Sequence, residues 1–102
     1  MGIDLQWEGE RGNVLGRVSD ELGLVEELVG TAKDGNTFCL RFIDSYGDTV
    51  FNQQQILVLL EELRAMPEDC LTSAAKLQRE KLVELAMRAQ GNTHTYLKFY
   101  GD

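Results

Sequence analysis

Apolar and polar residues alternate over Ile3, Asp4, Leu5, Gln6 and Trp7, the period-two spacing of a strand with one buried face. A polar, glycine-containing stretch follows at 8–13, and Val14–Val18 resumes the apolar run. The pair predicts a hairpin with a loop longer than a two-residue turn. Ser19, Asp20 and Glu21 then supply the side-chain oxygens and negative charge that favour a helix start. Leu22, Val25, Leu28 and Val29 fall on one face of that helix, with Gly30 as its stop. Gly23 in its interior would cost about 1 kcal/mol against alanine, so the helix is expected to be short. Lys33, Asp34, Gly35 and Asn36 predict a turn.

Residues 37–44, TFCLRFID, are β-branched and aromatic and read as the clearest strand, with Phe38, Leu40 and Phe42 on one face and Cys39, Arg41 and Ile43 on the other. Residues 49–51 would be its short partner. Asn52 and Gln55 have the spacing of a capping box, and Ile56, Leu59, Leu60 and Leu63, widened by Leu57, make the buried stripe of a second helix. Met66 and Pro67 close it, because the residue before proline avoids helical backbone. A third helix is predicted over 71–90, with Leu71, Ala75, Gln78, Leu82, Leu85 and Ala89 facing inward and Leu77, Ala86 and Met87 flanking them. Lys76 with Glu80, and Glu84 with Arg88, stand four apart and can pair on its surface. Gly91 is the expected stop, and residues 93–100 form a last alternating strand. The resulting order is β-β-α-β-β-α-α-β: an α+β fold, a mostly antiparallel sheet of four to five strands with helices packed on one face. At 102 residues it is expected to be a single domain spanning 1–102.

Charge narrows the partners. Residues 1–51 hold ten acids and four bases, and residues 52–102 seven acids and six bases, for a net charge of −7. Phosphate backbones repel that balance, and no basic stripe is present, so nucleic acid is not expected as a partner. An anionic membrane surface is disfavoured for the same reason, and the longest apolar run, five residues at 56–60, is too short to cross a bilayer. The first residues lack a basic region followed by an apolar stretch, and Cys39 and Cys70 have no CxxC spacing; a cytoplasmic location with reduced thiols is the expectation.

Candidate chemistry concentrates at 42–52, FIDSYGDTVFN. Asp44, Ser45, Asp48 and Thr49 offer oxygens that could meet a divalent ion. The spacing nevertheless lacks the alternating ligands and final glutamate of a calcium loop, and the single glycine lacks the Lys-Ser/Thr of a phosphate loop. Backbone roles account for Asp44, Ser45, Gly47 (expected at positive φ) and Asn52. Tyr46 and Asp48 are left over, and tyrosine is enriched at interface hot spots. His94 is the only histidine, so no cluster forms around it, and it is expected as an exposed residue at a strand start. Cys70 stands near a helix start that could activate it, but Glu68 and Asp69 oppose a thiolate. Trp7, Phe38, Phe42, Phe51, Tyr96, Phe99 and Tyr100 are expected mainly in the core or on a sheet face.

The segment from Leu40 to Asn52, with its string Ile43-Asp44-Ser45-Tyr46-Gly47-Asp48-Thr49-Val50-Phe51-Asn52 and a weaker echo at 96–102, resembles one shared by a loosely defined group of small uncharacterised bacterial proteins. The resemblance covers about a fifth of the chain, implies that the turn is a fixed feature of the fold, and brings no activity and no site residues with it. The function expected from the residues is non-catalytic: an acidic protein-interaction module, for instance an immunity-type inhibitor, binding a basic protein through Asp44, Tyr46 and Asp48 without a cofactor or metal. Two alternatives stand beside it. One is a self-associating accessory protein, a homodimer formed through an edge strand at 3–7 or 93–100 or through the third helix. The other is an enzyme using Asp44 and Asp48 with a divalent metal.

Overall fold

In the computed structural model, which describes residues 2–32 and 37–101, four strands form one antiparallel sheet. They are β1 (Asp4–Gly9), β2 (Val14–Val18), β3 (Asp48–Phe51) and β4 (Thr95–Tyr100), in the spatial order β2-β1-β4-β3. Three helices, α1 (Leu24–Ala32), α2 (Gln53–Arg64) and α3 (Ser73–Gln90), complete an α+β fold. The turn expected at 33–36 lies outside the described residues.

Sheet register explains which side is covered. Leu5 stands opposite Phe99, Trp7 opposite Leu97, and Phe51 opposite Leu97 from the other side. All five are buried, whereas Gln6, Glu8, Tyr96, Lys98 and Tyr100 alternate with them on the open face. The helices pack on the apolar side through Ile56, Leu59, Leu63, Leu82 and Leu85, and Phe51 meets Phe99 edge to face at 5.9 Å.

The two central strands are β1 and β4. The strands expected as free edges at 3–7 and 93–100 therefore each have a neighbouring strand on both sides, and the edges are β2 and β3. A bulge between Trp7 and Glu8 shifts the β1–β2 register and interrupts one of those edges.

Local signals placed α2 and α3 well. Asn52 Oδ1 accepts from Gln55 N at 3.0 Å while Gln55 Oε1 accepts from Asn52 N at 2.9 Å, the reciprocal box that the spacing predicted. Leu57, however, is 47% exposed and stands outside the buried stripe. Thr72 caps α3 by accepting from Ala75 N, and Gln78 sits in the buried stripe because its amide donates to Ser19 O at 3.0 Å. Lys76 turns to Glu68 rather than to Glu80, and buried Arg79 joins the same carboxylate. That guanidinium, first by hydrogen bonding and then by charge, holds the Glu68 carboxyl below the usual range.

Three expectations fail. Gly23 has φ of 68°, a left-handed turn before α1 rather than a helix interior, which leaves Leu22 outside the helix and 79% exposed. The helix start is governed by buried Asp20, one of the start residues expected from the sequence, whose carboxylate accepts from Leu24 N, Val25 N and Ile3 N. Gly30 lies inside α1. Residues 37–44, the predicted strand, form no part of the sheet: Leu40–Phe42 is a 3-10 turn, and β3 pairs with β4.

Candidate functional site

The failed strand is the most unusual surface of the molecule. Its alternation would bury Phe38, Leu40 and Phe42 together, but the buried residues are Cys39, Leu40 and Ile43. Phe38 and Phe42 are 74% and 61% exposed, and Tyr46, four residues further on, is 75% exposed. These three aromatic rings stand in solvent within nine residues of chain.

Their backbone is held in place from α2. The Glu62 carboxylate accepts from Phe38 N at 2.6 Å, Cys39 N at 3.1 Å and Leu40 N at 3.0 Å. An acceptor that takes three successive N–H groups removes the donors a strand would need, and the 3-10 bonds from Phe42 N to Cys39 O and from Ile43 N to Leu40 O complete the turn. Cys39 seals the underside. Burial first, and the nearby Glu62 charge second, push its thiol up to about 11, so it stays neutral and unreactive at physiological pH. On the outer side the Arg41 guanidinium lies 4.9 Å over the Phe42 ring.

The turn that follows carries the residues singled out from the sequence. Asp44 Oδ1 accepts from Tyr46 N at 2.8 Å, and Asp44 N donates to Thr49 Oγ1 at 3.0 Å, so Asp44 shapes the turn. Gly47 is not at positive φ; a Cβ there would stand 2.8 Å from the Asp44 carboxylate, so the glycine is needed for space. Gly101 N donates to Gly47 O at 2.8 Å, tying the chain end to the turn. Asp48 lies on the open face of the sheet, 3.7 Å from Lys98 Nζ. A hydrogen bond with Tyr100, helped by the charges of Asp48 and Glu8, holds the Lys98 ammonium above its ordinary pKa.

Asp44, Tyr46 and Asp48 therefore have separate jobs: a structural carboxylate, a free aromatic and an ion-paired surface acid. Among the described residues, no three His, Cys, Asp or Glu side chains converge as a metal centre requires. His94 is exposed at φ of 59°, with Nδ1 3.4 Å from Glu10, and Cys70 is exposed in the 3-10 turn Glu68–Cys70. No helix among the described residues is long and apolar enough to cross a membrane.

Phe38, Arg41 and Phe42 are the members of this surface that the sequence reading missed. Their only signal was spacing: 38, 42 and 46 are four apart, which suits one face of a strand as well as successive turns of a winding segment. No protein-family model, curated protein or solved structure matches the chain.

Proposed function

We propose that this protein is a non-catalytic interaction module that grips a protein partner with Phe38, Phe42 and Tyr46. The observation that carries the reading is the exposure of three aromatic rings on a backbone pinned by Glu62 and Asp44. Aromatic side chains supply most binding energy at interface centres, and a pre-ordered backbone reduces the entropy lost on association. The net charge of −7 favours encounter with a basic partner. An immunity-type inhibitor of a basic toxin is one concrete form of this module.

The test compares immobilised wild-type protein with Phe42→Ala/Tyr46→Ala in capture from the source organism. Both rings are exposed, so the variant should melt within a few degrees of wild type while its partner's dissociation constant rises at least about a hundredfold, the sum of two hot-spot losses. Equal capture by the two proteins, or no specific capture by either, overturns the reading.

A further inference from the structure

A groove of about 600 Å3 runs along α3, between that helix and the segment from Arg17 to Leu24. Its helical wall combines buried Gln78 and Leu85 with an outward stripe of Ala74, Leu77, Lys81, Glu84 and Arg88. The five residues of the stripe are exposed, whereas Ala75, Leu82 and Ala89 are buried away from the groove's lining. Steps of three, four, three and four residues average 3.5, the repeat of a seam between two helices. Leu77 on this stripe and Leu22 on the opposite wall, 67% and 79% exposed, are the two most exposed leucines among the described residues. The two leucines give the groove exposed apolar area that a partner could cover.

The charges identify what fits. Arg17, Lys81 and Arg88 line the same groove with the exposed acids Glu21 and Glu84, so both signs meet there. A strongly single-signed partner finds no complementary field there. Neither Lys81 nor Glu84 makes an ion pair with any described residue, and the Arg88 guanidinium lies 5.3 Å over the Trp7 ring. An antiparallel copy of α3, related by a two-fold axis level with the midpoint of 82 and 83, changes this picture. It sets Lys81 opposite Glu84 of the second copy, and Glu84 opposite Lys81 of the second copy. The same register lays Leu77 along the aliphatic stem of the second copy's Arg88. Every contact occurs twice, as a self-complementary interface demands. From this geometry we infer that the α3 groove is the interface of a homodimer, with α3 of one copy seated antiparallel against α3 of the other. This surface is separate from the aromatic segment at 38–46, and the dimer does not depend on the function proposed for that segment.

Sedimentation velocity over a micromolar-to-millimolar series tests the pairing, because reversing one charge has a definite sign. Lys81→Glu sets acid against acid at both symmetry-related places, and Glu84→Lys sets base against base. Each should raise the dimer dissociation constant about tenfold or more without changing the circular dichroism, since both side chains are solvent-exposed. An equimolar mixture of the two variants should recover the dimer as a heterodimer, and Lys81→Glu/Glu84→Lys in one chain should recover it as a homodimer. A wild-type protein monomeric to millimolar concentration overturns the inference. So does a dimer that both single variants leave unchanged, or a mixture that stays monomeric.

Discussion

Asp20 concentrates more structural work than any other side chain described. It is 3% exposed, and its carboxylate joins Ile3 just before β1, the start of α1 at Leu24 and Val25, and Gln78 of α3. Three backbone N–H groups would lose a charged acceptor in Asp20→Ala, two of them in buried bonds. Hydrogen bonds to charged groups are stronger than neutral ones, and stranded buried donors cost extra. The substitution should therefore destabilise by about 3 kcal/mol in chemical denaturation, with Asp20→Asn costing less because one acceptor oxygen remains. The sequence marked Asp20 as a helix-start residue for the right chemical reason, its short acceptor side chain. Its reach to Ile3 was hidden, because that bond spans 17 residues.

Among the elements, α2 and the segment before it show opposite outcomes. The capping box, the buried stripe and the proline stop of α2 all lie within a few residues of each other, so they were legible in the chain. Residues 37–44 carry strand-like composition, yet the N–H groups of Phe38, Cys39 and Leu40 go to Glu62, 22 to 24 residues away. Sheet pairing needs those donors, and Glu62 takes them first. Glu62→Ala should therefore release this segment specifically. It should speed amide exchange at Phe38, Cys39 and Leu40, lower global stability by about 2 kcal/mol, and weaken partner binding while leaving all three aromatic rings in place. Unchanged exchange at these amides would show that the carboxylate does not hold the segment. The exposed site was unreadable for the same reason: a strand's period of two put Phe38 and Phe42 on one face with Leu40, and only the anchoring glutamate turns them out.

For the molecule as a whole, pH acts from two sides. Glu68 has a depressed pKa, so the pairing with buried Arg79 contributes stability above the ordinary glutamate range and is lost as pH falls through the folded value. On the alkaline side Cys39 keeps its proton to about 11, whereas in the unfolded chain it ionises near 9.0, so unfolding is increasingly favoured as pH rises across that interval. Tyr100, raised by its hydrogen bond to Glu8, acts in the same direction. Melting temperature should be flat from about pH 5 to pH 9 and fall on both sides. Glu68→Gln should lower the plateau and flatten the acid limb, and Cys39→Ala should flatten the alkaline limb. An acid limb as steep in Glu68→Gln as in wild type would assign acid unfolding to other carboxylates.

Local chemistry in the chain was enough for the α+β class, the first hairpin, the capping box of α2, the Gly91 stop of α3, most of the inward faces of both helices, and the acidic charge balance. These depend on periodicity and on contacts between residues a few positions apart. Long-range competition for hydrogen bonds and burial settled the rest. It made β1 and β4 the central strands, moved the start of α1 past Leu22, and replaced an expected strand with an aromatic surface. A backbone donor has one proton to give, and which acceptor receives it depends on what folding brings near.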